Sequence, residues 1–230
     1  MSDSRAAILG RIRQSLRTAH LPDAGDLPAL DLTGLRRPVR SGLVDQFIAA
    51  LEAVGGEVVR AAGADEGRAR LLELLWQSDA REALVWPDEE LPFPIGEALR
   101  TAGVAPVFAR LDGDPVRRQA QLEALDRPAV GVTGALAGLA DTGSVALLSG
   151  PRRPMTASLL PLTHVALLRE GDIVADMATF LAPETGFLGR NPVSARNLVF
   201  ITGPSRTADI EMVITRGVHG PRRVVVVIVT

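Results

Sequence analysis

The chain has 230 residues, 47% of them hydrophobic, and a formal net charge of −2 at pH 7. This length and apolar content suffice for one α/β domain with a sizeable core and a terminal extension. The small net charge gives no general drive toward nucleic acid or anionic membranes. No apolar segment approaches the roughly 20 residues that span a bilayer, and the N-terminus lacks the apolar stretch of a secretory signal. We therefore predict a cytoplasmic protein that neither spans a membrane nor binds nucleic acid.

Two residue types that support common chemistries are missing. There is no Cys, which excludes disulfides, thiol nucleophiles and thiolate ligands for zinc or iron–sulfur clusters. Lys is also absent, since all 25 basic residues are Arg, and this excludes a Walker-type lysine and a pyridoxal Schiff base. The histidines His20, His164 and His219 are far apart and show no metal-ligand spacing. We expect no metal site.

The first twenty residues predict an amphipathic basic helix. Ile8, Leu9, Ile12 and Leu16 recur on one side, with arginines around them. Such a helix is compatible with packing, with a partner, with self-association as a homo-oligomer or with a membrane surface, and packing is the commonest case. The next stretch, up to residue 41, is rich in Pro, Gly and Asp and reads as a linker. We therefore expect an arm over residues 1–41 and an α/β domain over residues 42–230.

Helical patterns and short apolar runs alternate in the first part of this domain. The predicted helices are Leu43–Val54, Glu66–Gln77, Ile95–Thr101 and Pro115–Leu125. The predicted strands are Glu57–Ala61, Ala83–Trp86, Ala105–Phe108 and Ala129–Thr133. Alternation at this spacing predicts a mostly parallel sheet with helices on both faces.

The rhythm changes after Thr133. The predicted order is a connection, a strand, a helical turn, a strand, a helix and a loop: Gly134–Thr142, Gly143–Ser149, Ser158–Leu160, His164–Leu168, Ile173–Leu181 and Pro183–Ala195. Because α/β sheets place ligands in irregular loops at strand ends, we expect the site in this part of the chain.

The C-terminal stretch predicts a strand–helix–strand unit. An apolar run, Leu198–Ile201, leads to a Gly-Pro turn, and Ile210, Val213 and Ile214 then follow a helical spacing. The last run, Val224–Val229, is almost continuous Val and Ile, as in a strand buried on both faces. The two strands should therefore be parallel and joined by a helix.

The turn in this unit is a candidate anion site. Ser205 is placed to cap the predicted helix, and the free N–H groups of the first turn, with Arg206 and the Thr207 hydroxyl, would face an anion. Gly203 would allow close approach to the backbone. We call these four residues the anion cup. The alternative is a capped helix that binds nothing, in which Arg206 pairs with Asp209.

Two further groups are candidate ligand-binding residues. Thr142, Gly143 and Ser144 offer hydroxyl and N–H groups to a carboxylate or phosphate, or form only a turn. Arg152 and Arg153 can clamp an anion through two bonds each, or lie on a solvated loop.

Three residues are candidates for acid–base or nucleophilic chemistry, although no catalytic residue is assigned. His164 is a candidate general acid or base, with a structural hydrogen bond as the alternative. Asp141 and Glu184 are candidate bases or nucleophiles. His219 lies beyond the predicted helix from Ser205, so we do not expect it near the anion cup.

Four strings carry a family resemblance: TGPSRTADIE and GVHGP near the C-terminus, and ADTGSVALLSGPRRP and SLLPLTHVALL upstream. In this order they resemble the lactate-utilisation protein C family, also called LutC or YkgG, which contains the LUD domain. The resemblance implies a fold similar to the sugar-phosphate isomerase and CoA-transferase-like group. It also implies a part in bacterial L-lactate oxidation together with iron–sulfur partner proteins.

The resemblance and the missing Cys together place any iron–sulfur cluster in partner proteins. The expected function is a subunit of a lactate-oxidising system that binds a small carboxylate or phosphate, and whether this chain is itself an enzyme stays open. The alternatives are a stand-alone isomerase or acyl-CoA transferase, with Asp141 or Glu184 acting chemically, and a non-catalytic adaptor.

Overall fold

The computed structural model describes residues 2–19, 42–108, 114–182, 197–208 and 214–230. The chain divides into two units, residues 1–34 and residues 35–230. In the first unit, α1 (Ser2–Thr18) is the predicted amphipathic helix. None of the described helices is long and apolar enough to cross a bilayer.

The second unit contains a parallel sheet and a smaller mixed sheet. Its helices are α2 (Leu43–Ala53), α3 (Ala64–Gln77), α4 (Gly96–Thr101), α5 (Pro115–Leu125), α6 (Thr156–Leu159) and α7 (Met177–Leu181). Its strands are β1 (Glu57–Ala61), β2 (Glu82–Val85), β3 (Ala105–Val107), β4 (Val130–Gly134), β5 (Ala137–Leu139), β6 (Ser144–Ser149), β7 (Thr163–Arg169), β8 (Ile173–Val174), β9 (Asn197–Ile201), β10 (Arg206–Ala208), β11 (Ile214–Arg216) and β12 (Arg223–Val229).

The main sheet has the strand order β1-β12-β7-β4-β2-β3, and all its strand pairs are parallel. The near-continuous apolar run of β12 lies between β1 and β7, as the sequence predicts for a strand buried on both faces. On one face, α3 packs against β7 and β12 through Leu71, Leu75, Val165, Val225 and Val227. On the other face, α2 packs against the same strands through Phe47, Leu51, Ala166, Val226 and Ile228. The mostly parallel α/β sheet with helices on both faces is therefore confirmed.

The second sheet has the order β8-β5-β6-β9 and is partly antiparallel. β5 begins three residues after β4 ends, so the chain passes directly from one sheet to the other. Two sequence predictions are wrong here. The predicted connection Gly134–Thr142 contains β5, and the predicted helix Ile173–Leu181 is helical only from Met177, because Ile173 and Val174 pair with β5 as a strand.

The predicted C-terminal strand–helix–strand unit is also wrong. β9 pairs antiparallel with β6 in the second sheet, and β10 and β11 form an antiparallel pair where the helix was expected to begin and end. Residues 209–213, which carry most of the predicted helical spacing, lie outside the described residues. Thr207, Ile214 and Thr215 in the paired strands are β-branched, and β-branched residues favour strands.

Candidate functional site

A cleft opens where three neighbouring strands of the main sheet end. Trp86 follows β2, Gly134 ends β4 and is followed by residues 135–136, and Arg169 ends β7. The other lining residues are residues 89–92, Leu148 and Arg153. Its volume is about 220 Å³. Ligands of open α/β sheets bind at the carboxyl ends of the strands, where the chain changes direction. Here β4 leaves the main sheet for the second one, so the cleft occupies such a point.

Of the two arginines that the sequence predicted as an anion clamp, Arg153 lines the cleft and Arg152 precedes it in the chain. Arg152 lies 2.6 Å from Glu89 and 3.3 Å from Glu90, measured between guanidinium nitrogen and carboxylate oxygen. Arg153 lies 3.5 Å from Glu90, which is only 23% exposed. Both arginines are therefore paired with carboxylates, and their role as ligand-binding residues stays a prediction.

Arg169 is the second arginine that lines the cleft. Its Nη2 donates a hydrogen bond to the carbonyl oxygen of Pro92 at 2.9 Å. Among the described residues, no carboxylate forms an ion pair with it. Because Glu89 and Glu90 pair with Arg152 and Arg153, Arg169 is the cleft arginine that has no described carboxylate partner.

The rest of the cleft wall is apolar and fixed. Trp86 is 2% exposed, and its indole N–H donates to the Pro154 carbonyl at 3.0 Å. This bond holds the loop that carries Arg153 against the end of β2. Leu91, Leu136 and Leu148 also line the cleft, so an apolar surface lies next to the charged rim.

The residues Thr142 and Ser144 belong to a second place, at the start of β6. Ser144 Oγ lies 2.8 Å from Thr142 Oγ1 and 2.6 Å from Thr202 Oγ1, so three hydroxyls form a chain. Ser144 is buried, whereas Thr142 and Thr202 are exposed. The bond to Thr202 joins two of the motifs that the family resemblance rests on.

Gly143 and Gly203 have a clear packing role at this place. Both have positive φ, +66° and +80°. A Cβ on Gly143 would lie 2.5 Å from Leu51 Cα, and one on Gly203 would lie 3.0 Å from the carbonyl oxygen of Val54. Only glycine allows both turns to approach the C-terminal end of α2 this closely.

The anion cup does not form at a helix N-terminus. Arg206 begins β10 and donates a hydrogen bond from Nη2 to the carbonyl oxygen of Val54, at the end of α2. The Ser205 N–H donates to the Pro221 carbonyl at 2.9 Å, and the Gly217 N–H donates to the Ser205 carbonyl at 3.0 Å. The helix cap predicted for Ser205 is therefore wrong, and Thr207 lies in β10.

The loop that carries His219 is close to Ser205, contrary to the sequence prediction. The two hydrogen bonds of Ser205 join it to both ends of the segment 217–221. The prediction of a long separation was wrong because it assumed a helix between the two residues.

The two groups of predicted ligand-binding residues are not brought together. Ser144 begins β6, and Arg152 and Arg153 follow its end. Five steps of about 3.3 Å along a strand separate its ends by about 17 Å. In the structure, residues 141–144 therefore lie near residues 202–206, whereas Arg153 lies in the cleft.

His164 lies in the middle of the main sheet and is fully buried. Its Nε2 is 2.8 Å from the Thr133 hydroxyl on β4, while Nδ1 has no hydrogen-bond partner among the described residues. Burial lowers the pKa of His164 to about 4, so the ring is neutral at pH 7. This environment supports the structural alternative rather than acid–base chemistry.

The structure says less about Asp141 and Glu184, the other two candidates for acid–base or nucleophilic chemistry. Asp141 is half-buried in the turn before β6, and its N–H donates to the Ala175 carbonyl at 3.0 Å. Glu184 lies outside the described residues. Over the described part of the chain, no group of three His, Asp or Glu is arranged to hold a metal ion.

Sequence reasoning missed Trp86, Glu90 and Arg169 as site residues. Each of them follows or ends a predicted strand, or lies a few residues beyond one. Polar residues just past the carboxyl ends of parallel strands are the signal that could have indicated them.

Replacing Arg206 by Ala tests whether its role is packing or anion binding. We expect the free energy of unfolding to fall by about 0.5–1.5 kcal/mol, because the Val54 carbonyl loses a charged donor. Urea denaturation of R206A beside R81A, which removes an exposed arginine elsewhere, measures this. Unchanged stability with a loss of anion binding would instead support the anion cup.

Comparison with known families and proteins places most of the second unit in one family. Residues 44–229 match the family described as the LUD domain. A Deinococcus radiodurans protein of the duf162 family, known from a crystal structure, has a similar fold, with a TM-score of 0.59 and 22% sequence identity. The match covers 84% of this chain and 100% of that one.

Several curated proteins are similar in sequence. "Uncharacterized protein YkgG" of Escherichia coli is 32% identical over 238 residues, covering 99% of this chain and 98% of that protein. "Lactate utilization protein C" of Anoxybacillus flavithermus is 36% identical over 117 residues, 51% of each chain. The protein of that name from Halalkalibacterium halodurans is 31% identical over 161 residues, 68% of this chain and 66% of its own. This chain spans about half the length of several of the curated relatives it matches.

Proposed function

The chain belongs to the LUD-domain family, as its motifs predicted, and on this premise we propose that it serves bacterial lactate utilisation. The observation that carries this proposal is the similarity to relatives named lactate utilization protein C. The cleft at the carboxyl ends of the main sheet supports it, because Arg169, which lines the cleft and has no described carboxylate partner, suits a small anionic ligand.

The proposed role is that of a cytoplasmic subunit in L-lactate oxidation. Oxidation of lactate to pyruvate releases two electrons and two protons, and these electrons need an acceptor. Since this chain has no Cys, it cannot hold an iron–sulfur cluster through thiolates. Iron–sulfur proteins acting as partners would supply the electron carriers, while this chain binds the small anion or organises the complex.

Anaerobic co-purification of the tagged chain from its own cells tests this role. The eluate is assayed for iron and for lactate-dependent reduction of a dye. We expect iron-bearing partner proteins and dye reduction that depends on lactate. An iron-free chain without partners, from cells whose lactate oxidation survives deletion of its gene, would contradict the proposal.

The same preparation separates the alternatives. Turnover of a sugar phosphate or an acyl-CoA by the isolated chain would favour a stand-alone isomerase or transferase. Lactate-dependent activity that requires the chain, but persists when substitutions with larger side chains block its cleft, would favour an adaptor.

A further inference from the structure

We propose that the cleft formed by Trp86, residues 89–92, residues 134–136, Leu148, Arg153 and Arg169 binds a small monocarboxylate with a short apolar substituent, held by Arg169. This inference rests on the proposed function, because it names the ligand class that a lactate-utilisation protein would bind in the cleft. It assigns the ligand to the strand ends and not to the hydroxyl chain at the start of β6.

The size of the cleft favours a ligand of a few heavy atoms. Pockets that enclose drug-sized ligands have volumes of about 300–1,000 Å³, and this cleft has about 220 Å³. A nucleotide or an acyl-CoA would extend far beyond it. The buried Trp86 and the leucines Leu91, Leu136 and Leu148 offer apolar contact to a methyl or similar group.

The charges favour a monoanion. Glu89 and Glu90 pair with Arg152 and Arg153, which leaves the Arg169 guanidinium for the ligand. A carboxylate carries one negative charge and matches this single guanidinium. A phosphate monoester carries about 1.5 to 2 negative charges at pH 7, so it would leave excess negative charge beside Glu90.

Arg169 is the arginine that can hold the carboxylate. Its guanidinium has one described hydrogen bond, to the Pro92 carbonyl, and its remaining N–H groups form none with the described residues. A guanidinium can bind a carboxylate through two parallel N–H···O bonds. Arg153 lies in the same cleft and can add charge by loosening its 3.5 Å contact with Glu90.

Calorimetric titration of the full chain with lactate, pyruvate and inorganic phosphate tests the proposal. We expect saturable binding of lactate or pyruvate and at least about tenfold weaker binding of phosphate. R169A should weaken monocarboxylate binding by about tenfold or more, since it removes charge-assisted hydrogen bonds. R169K, which keeps the charge but loses the paired donors, should give a smaller loss.

R81A is the matched control, because Arg81 is an exposed arginine away from the cleft. It should bind as the unaltered chain does, and thermal melting should show all three variants folded. Absence of monocarboxylate binding, preference for phosphate, or equal affinity in R169A would each overturn the proposal.

The two proposals fail in different ways. A purified complex in which R169A retains full lactate-dependent dye reduction would overturn the cleft assignment and leave the lactate role standing. If the chain bound a monocarboxylate through Arg169 but no lactate-oxidising preparation required the chain, the lactate role would be overturned and the cleft assignment would stand.

Discussion

Replacing Gly143 by Ala is expected to lower the free energy of unfolding by about 2–5 kcal/mol. Two costs combine: an L-residue at φ +66° costs about 1–2 kcal/mol, and overpacking against a rigid backbone costs about 1–3 kcal/mol. The added methyl group would fall on the backbone of Leu51 in α2, which cannot move without disturbing its helix. Urea denaturation of the full chain measures the change.

Two other glycines of the chain separate these costs. Gly103 has φ +77° but open space around a Cβ, so G103A should show the backbone cost alone. Gly171 has neither a positive φ nor a neighbour within 4 Å, so G171A should be close to neutral. If G143A were no more destabilising than G103A, the close packing of this turn on α2 would be wrong.

The main sheet could be predicted because each of its strands has a local signal. The apolar runs of β1, β2, β4, β7 and β12 and the helices between them are legible in the sequence, and their alternation indicates parallel pairing. Pro115 also indicates the start of α5, because proline is favoured in the first turn of a helix. The structure adds a cap there, in which the Asp114 carboxylate accepts hydrogen bonds from the N–H groups of Val116 and Arg117.

The second sheet could not be predicted in the same way. β5 and β8 have only three and two residues, so no periodicity distinguishes them from a connection or the first turn of a helix. The spacing of Ile210, Val213 and Ile214 matched a helix over too few turns to be decisive. The error about Ser205 and His219 followed directly from that helix.

The candidate site was only partly predictable for a related reason. Arg153 was predicted as a ligand-binding residue because paired arginines stand out in a loop, and it lines the cleft. Ser144 was predicted because of its motif and lies elsewhere, at the start of β6. Trp86, Glu90 and Arg169 meet only because β7, β4 and β2 are neighbours in the sheet. Strand order depends on contacts between distant segments, so a single sequence gives no direct signal for it.

Acidification should destabilise this protein through His164. The unfolded histidine has a pKa near 6.5, whereas burial lowers the folded pKa to about 4. Above pH 6.5 the ring is neutral in both states, so it gives no pH dependence there. As pH falls from 6.5 to 4, the unfolded state binds a proton that the folded state does not. The free energy of unfolding should therefore fall by about 3 kcal/mol across this window and fall no further through His164 below it.

Urea denaturation at several pH values, with H164Q and H219Q beside the unaltered chain, isolates this contribution. H164Q removes the titrating ring and keeps an amide that can bond Thr133, so its stability should depend less on pH between 6.5 and 4. H219Q replaces an exposed histidine and should keep the full dependence. Glu57 adds little to the pH dependence of stability over most of this window. The hydrogen bonds that Arg223 donates lower the pKa of Glu57 below its ordinary value, so this carboxylate stays ionised in the folded state as the pH falls toward 4.5. If the stability of H164Q depended on pH as strongly as that of the unaltered chain, other groups would cause the dependence. Protonation of the buried His164 ring would then cost the folded state little free energy.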